Sequence, residues 1–284
     1  MAALVLAGLL FGSTFLVVQG AIEGAGVMPF LAVRFVVGAA VLWPIARRRR
    51  ETPGERRDGV LAGLALVGGF VFQTAGLRST DSANSAFITY LLVVFVPVIG
   101  LVRFRRRPPW NVMAGVVLAV GGLYALSGGL SGVGRGELLT LASAFFFALH
   151  IVVLGEVAHR HDPIRLTMWQ AITVAVFCLV PGAFSAGGYG FDRAVWLAAI
   201  YCGVGPTAIA FWCQSWAQRV VPETQAALIL LLEPVSAGVL GVATGEVLGL
   251  VGLVGAACIL GAVVLAEFVG REEPMAIGGE LASV

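Results

Sequence analysis

Two ionisable residues stand inside apolar stretches where a charge is costly. Glu233 sits in the run Leu231-Leu232-Glu233-Pro234-Val235, and Arg34 sits between Val33 and Phe35. Ionisable groups at membrane depth are rare and usually mark substrate or ion pathways. Glu233 lies nine residues into its stretch, roughly 14 Å at the α-helical rise. No carboxylate reaches water along its own side chain from there, so the group must be neutral, paired or open to a wet cavity. A carboxyl whose protonation depends on which side such a cavity faces can couple movement of a solute to protons. Glu233 is the candidate for that role, and the structural alternative is an acid satisfied by hydroxyls or by the backbone beside Pro234. Arg34 lies roughly 9 Å deep, a distance a guanidinium can snorkel; its functional reading is contact with an anion or substrate. The two spans start from opposite faces, so measured from one face of a layer about 30 Å thick the depths differ by roughly 7 Å, which allows a pair across a cavity if the faces meet.

A softer set of polar and aromatic groups occupies intermediate depth: Ser13, Thr14, Gln73, Thr89, Tyr90, His150, Gln170 and Trp212. Ligand sites are mostly apolar with a few placed polar groups, so this mixture suits a small amphipathic organic molecule. The candidate substrate pathway is Ser13, Thr14, Arg34, Gln73, Tyr90, His150, Trp212 and Glu233. Each of the softer residues has a competing role as a helix–helix hydrogen bond or packing group. His159, His161 and Asp162 lack zinc-site spacing and read as a solvated loop. The four cysteines all fall inside apolar stretches and read as small packing groups, so neither a metal nor a cofactor is expected. There is no Gly-Lys-Ser/Thr phosphate loop, no Gly-x-Ser-x-Gly elbow and no His-Glu-x-x-His pair. No lysine is present to form a Schiff base. Nothing argues for an enzyme.

The elements that must position these groups are membrane helices. The chain is 59% hydrophobic and 12% charged, against roughly 25% charged in a soluble domain. Apolar stretches of the length that crosses about 30 Å of hydrocarbon recur at 2–20, 28–46, 59–77, 82–102, 111–128, 137–155, 165–185, 194–215, 224–244 and 247–268. The fold class expected is an all-α integral membrane protein of ten transmembrane helices. The first stretch has no basic segment before it and reads as a membrane helix, not a cleaved leader. If the spans alternate, fourteen of the eighteen arginines fall on one side, three on the other (Arg78, Arg135, Arg193), and Arg34 inside a span. Loops that retain arginine are cytoplasmic, so both termini are expected there. The cluster Arg47 to Arg50 orients helices in this reading and touches lipid only secondarily; no nucleic-acid partner is expected.

The two halves also resemble each other. A stretch from Gly128 to Gly136 separates them. Residues 70–126 match 210–266 at an offset of 140, which places Ala86, Leu91, Leu92, Gly115 and Gly121 on Ala226, Leu231, Leu232, Gly255 and Gly261. An offset of 136 places Phe11 on Phe147, Gly12 on Ala148 and Arg34 on Gln170. Five spans per half would invert the second half, the architecture of many secondary transporters. The domains expected are residues 2–127 and 137–268, with a cytoplasmic tail at 269–284. Glycine pairs four apart, Gly8 with Gly12 and Gly59 with Gly63, read as packing seams. Pro97, Pro181, Pro206 and Pro234 interrupt spans, as hinges or as static kinks.

These residues together resemble the EamA family of the drug/metabolite transporter superfamily. The opening Leu10-Phe11-Gly12-Ser13-Thr14-Phe15 is similar to its tryptophan-glycine-serine start, with Phe11 in place of the usual Trp. Pro29 and Arg34-Phe35 are similar to its second helix. Leu231-Leu232-Glu233-Pro234-Val235 with Gly245-Glu246 and Gly255 is similar to its most distinctive segment. The first half departs from that pattern: Val93 and Val94 stand where the second half has Glu233 and Pro234, and Arg106 replaces the hairpin glutamate. The resemblance implies two inverted five-helix repeats, a central cavity and alternating access. It implies a carrier in a bacterial cytoplasmic membrane that moves amino acids, metabolites or drug-like compounds outward, with the bilayer and a small-molecule substrate as partners. Oligomeric state is open, and a monomer is compatible with it. The rival classes are a channel, for which no ring of like charges or filter is visible, and a lipid scramblase.

Overall fold

A computed structural model of the chain describes residues 1–80, 82–105, 108–126, 134–185, 187–236 and 249–269. Arg106, Gly128, Gly245, Glu246 and the tail from residue 270 lie outside the described residues. The rest is helical, with no strand among the described residues: α1 (Ala2–Gly12), α2 (Thr14–Gly24), α3 (Val27–Ala46), α4 (Glu55–Gly76), α5 (Ser82–Tyr90), α6 (Leu92–Phe104), α7 (Trp110–Leu126), α8 (Arg135–Val157), α9 (Pro163–Ala183), α10 (Arg193–Cys202), a π-helical segment (Gly203–Ala210), α11 (Phe211–Ala217), α12 (Glu223–Leu230) and α13 (Leu250–Val269).

Among the described residues six helical stretches are long and apolar enough to cross a bilayer: Val27–Ala46, Glu55–Gly76, Ser85–Arg103, Arg135–Arg160, Pro163–Ala183 and Arg193–Ala217. Ala2–Gly12, Trp110–Ala125 and Leu250–Leu265 are shorter apolar helices. Part of the shortfall from ten has a local cause. The first stretch breaks at Ser13, where the Ser13 hydroxyl donates to the Leu10 carbonyl and the Thr14 hydroxyl to the Phe11 carbonyl, both at 2.7 Å. Hydroxyls that bond back onto the preceding turn bend helices in this way. Another break falls at Leu231, one turn before Pro234, which has no amide to offer the Leu230 carbonyl. Two helix starts outside these breaks carry side-chain caps. Asp162 accepts from the Ile164 and Arg165 amides with Pro163 in the first turn, and Asp192 accepts from the Val195 amide.

The most extensive packing joins α3 to α9, α7 to α13, and α4 to α8. Large side chains on the outer surface are apolar, among them Trp43, Val117, Phe177, Val180 and Leu197, as a lipid-facing surface requires. The turns gather at two ends. At one, Arg165 pairs with Glu55 at 2.5 Å and with Glu51 at 2.9 Å, and Arg103 pairs with Glu156 at 2.6 Å. At the other, Arg78 donates to the Ala25 carbonyl at 3.1 Å and Thr80 to Glu137 at 2.5 Å. The first end carries the arginine clusters that follow α3 and begin α4.

The arginine-rich end corrects one expectation. The 159–162 turn is solvated only in part: His159 is exposed, while His161 is buried, with Nδ1 2.6 Å from the Thr52 hydroxyl and Nε2 2.8 Å from Asp58. Thr52 also donates to Glu55, and Arg165 reaches the Ala46 carbonyl at 3.3 Å. This network ties the α3–α4 turn to the start of α9. Its partners lie more than a hundred residues apart in sequence, so spacing within one loop gave no sign of it.

Candidate functional site

Arg34 is held from two sides. Its Nε donates to the Thr207 hydroxyl at 2.9 Å, and its guanidinium carbon lies 4.7 Å from the centre of the Phe70 ring, a cation–π contact. Thr207 is presented by the π-helical segment, where Pro206 interrupts the regular ladder. The approach is close because two glycines face each other. A Cβ at Gly38 would stand 2.6 Å from Thr207 Cγ2, and one at Gly203 would stand 2.7 Å from the Arg34 carbonyl. Arg34 is buried to 3% exposure, too enclosed to snorkel. Among the described residues it has no carboxylate in contact.

Glu233 follows the break at Leu231 and is set by α1. A Cβ at Gly12 would clash with Ser236 Oγ and stand 2.5 Å from the Glu233 carbonyl. That glycine lets the backbone of 232–236 lie directly on α1, and the Ser236 hydroxyl donates to the Glu233 carbonyl at 2.8 Å. Tyr90, at the end of α5, sets its buried hydroxyl beside the Glu233 carboxyl, without a hydrogen bond of ordinary geometry. Nearby, Gln73 donates to the Thr89 hydroxyl at 3.2 Å.

Arg34 and Glu233 line one cavity of about 70 Å³, with Phe11, Thr14, Phe70, Gln73, Thr89, Tyr90, Leu92, Phe147, His150, Ile151, Phe211, Gln214 and Leu230. That volume has room for a few waters, each of which takes about 30 Å³ in the liquid. The aromatic wall is continuous: Phe70 packs edge-on against Phe147 at 5.2 Å and Phe211 at 5.9 Å, and Phe11 lies 4.9 Å from Phe211. No contact ion pair joins Arg34 to Glu233 among the described residues.

Of the sequence candidates, Thr14, Arg34, Gln73, Tyr90, His150 and Glu233 meet at the cavity, together with Thr89. Ser13 does not reach it; its hydroxyl is 2.6 Å from the Tyr201 hydroxyl at the α1–α2 break. Trp212 lies on the outer side of α11, 38% exposed, while Phe211 and Gln214 of the same helix face inward. Gln170 stands behind His150 rather than in the wall. Sequence reasoning missed Gln214, a buried amide in an apolar span whose residue type was a usable signal. It also missed the four phenylalanines, which ordinary apolar patterning hides.

An all-helical chain with a lipid-compatible surface and a charged, aromatic-walled central cavity defines a multi-pass membrane protein of the transporter class. Residues 1–128 and 134–268 each match the EamA-like transporter family, and the chain belongs to that family, within the drug/metabolite transporter superfamily. It is 32% identical over 263 residues to an uncharacterized transporter of Archaeoglobus fulgidus, covering 92% of this chain and 83% of that protein. It is 22% identical to the uncharacterized transporter YoaV of Bacillus subtilis, covering 81% and 82%. A solved crystal structure superposes with a TM-score of 0.77 at 20% identity, covering 94% and 96% of the two chains, which is a likeness of fold.

Proposed function

We propose that this membrane transporter is a secondary carrier of small organic metabolites, built as ten spans in two inverted five-helix repeats. It exports its substrate by alternating access, with Glu233 as the proton-coupling carboxyl, from a cytoplasmic membrane with both termini inside. The observation that carries the reading is the cavity itself, where a buried cation from α3 and a carboxyl beyond α12 face each other unpaired. A guanidinium and a titratable carboxyl held apart, with aromatic walls, suit an amphipathic molecule that bears a charged group and an apolar body.

The repeat reading draws support from which helices meet. At the offsets found in the sequence, α3 corresponds to α9 and α7 to α13, and both are among the three most extensively packed pairs; the third, α4 with α8, is not a pair of mates. Helices nearest a two-fold axis pack on their own mates. The cavity wall contains three corresponding pairs, Phe11 with Phe147, Thr14 with His150, and Tyr90 with Leu230, as a site on that axis should. The arginine-rich end agrees with cytoplasmic termini. A cavity of a few waters is smaller than the volumes that hold organic ligands, so the walls must part to admit cargo, as alternating access requires.

The test is reconstitution in proteoliposomes and a panel of radiolabelled amino acids and other amphipathic metabolites under an imposed pH gradient. The reading expects net movement of at least one panel member, abolished by Arg34→Gln with the protein still folded. Movement of fluorescent phospholipid between leaflets, with no solute transport, would replace it with a scramblase.

A further inference from the structure

Two cavity residues are oriented from behind by amide side chains, and in each case a backbone carbonyl fixes the orientation. His150 Nε2 lies 2.7 Å from Gln170 Oε1, and Gln170 Nε2 donates to the Leu166 carbonyl at 3.2 Å. A carbonyl only accepts. Turning the Gln170 amide over would set two acceptor oxygens against each other, so the atom facing His150 is an oxygen and His150 Nε2 carries the proton. The Gln170 amide also reaches the Ser215 hydroxyl at 3.4 Å, which lies 2.9 Å from the Thr167 hydroxyl. His150, Gln170, Thr167 and Ser215 are all at most 1% exposed, so water does not compete for these bonds.

The second relay repeats the logic. Gln218 Nε2 donates to the Ile151 carbonyl at 2.8 Å, which turns Gln218 Oε1 toward Gln214, and Gln214 Nε2 donates to it at 3.0 Å. With Gln214 Nε2 turned to Gln218, its Oε1 remains. With Nε2 of His150 protonated, Nδ1 is the acceptor of the neutral ring. Neither His150 Nδ1 nor Gln214 Oε1 has a hydrogen-bond partner among the described residues. His150 and Gln214 line the same cavity, and Phe211, one turn before Gln214, meets the His150 ring edge-on at 5.7 Å.

We propose that His150 Nδ1 and Gln214 Oε1 form an acceptor subsite that selects a ligand group with two or more N–H donors, such as a primary ammonium. Gln170 and Gln218 are its positioning residues. The inference rests on the central cavity being the transport site. Arg34 offers only donors, and the subsite adds neutral acceptors to the Glu233 carboxyl as the cavity's pole of opposite preference. A group stripped of its donor hydrogens leaves two buried acceptors unpaired on binding, a loss that selects more sharply than a missing methylene.

The subsite is tested on the purified full-length protein in nanodiscs. With histidine labelled by nitrogen-15, only His150, His159 and His161 contribute, and His150→Asn identifies the His150 signals. The expected result is a proton on Nε2 and a bare Nδ1, changing to a mixture of tautomers in Gln170→Leu. A proton fixed on Nδ1 with Nε2 bare overturns the proposal. The ligand class is read by thermal-shift titration with phenethylammonium and its N,N,N-trimethyl derivative, which share charge and ring but differ in donors. Wild type should prefer the primary ammonium by about tenfold, Gln170→Leu and Gln218→Leu should approach parity, and His150→Asn, which keeps an oxygen near the Nδ1 position, should retain part of the preference. An unchanged preference in both leucine variants overturns the subsite. A wild type that responds to neither amine overturns the ligand class, and the proteoliposome panel separates that result from failure of the cavity as the transport site.

Discussion

The helix breaks at Leu91 and Leu231 share one geometry. Leu91 has φ −60° and ψ −7°, Leu231 has φ −63° and ψ −6°, and each amide closes on the carbonyl three residues back at 3.2 Å. The two leucines are 140 residues apart, the offset at which the halves align. What surrounds the breaks differs. Before Leu91 stands Tyr90, whose hydroxyl lies beside the Glu233 carboxyl in the cavity; before Leu231 stands Leu230. After them come Val93, fully buried in the apolar core, and Glu233, in the cavity wall. Similar backbone therefore carries different chemistry, and the carboxyl and the phenol that neighbour each other come from opposite halves. Duplication supplies a scaffold, and the site is made by departures from it.

The comparison breaks first at Val93. If the halves were interchangeable, Val93→Glu would restore an acid to Glu233→Gln. Val93 lies in packed apolar surroundings, so the new carboxyl should cost about 3 kcal/mol or more and restore no transport; the melting temperature and proteoliposome flux of the double variant decide this. A smaller loss is expected at Arg34. Arg34→Lys gives up the Nε bond to Thr207 and the planar face on Phe70, and transport should fall by roughly 10–100-fold with little change in melting. Gly12→Ala should then destabilise by about 1–3 kcal/mol, because its methyl enters the backbone of 232–236. Gly20→Ala, with nothing within 4 Å of its Cβ, should be neutral or stabilising by up to about 1 kcal/mol. Thermal melts of the two glycine variants side by side separate a close approach from a mere small residue. The smallest effect belongs to Tyr90→Phe. Removing a hydroxyl that lies beside the Glu233 carboxyl without a well-formed bond should change stability by no more than about 1 kcal/mol in either direction, and a larger drop in melting temperature would mean that the hydroxyl is firmly bonded in the native protein.

Much of this site was legible from residue type and depth. Arg34, Glu233, Tyr90 and His150 announced themselves because polar groups are costly in apolar stretches, and each lines the cavity. Depth gives distance along a helix and says nothing of facing, which is why Trp212 and Ser13 also entered the candidate set. Trp212 turns outward, and Ser13 bonds at a helix break. The relays behind His150 and Gln214 and the Thr52–His161–Asp58 network depend on contacts across tens to more than a hundred residues, which one sequence does not encode locally. Helix breaks were partly visible through Pro206 and Pro234. The break at Leu91 has no proline within one turn after it, and its similarity to Leu231 emerges only in three dimensions.

The central claim, that Glu233 couples solute movement to protons from inside the cavity, is tested most directly by Glu233→Gln in proteoliposomes loaded with a substrate found in the panel. Glutamine keeps the shape and loses the titratable proton. Flux driven by a pH gradient should disappear and the remaining solute exchange should become independent of pH, with the melting temperature of the protein close to wild type. Transport with unaltered rate and unaltered pH dependence would contradict the account.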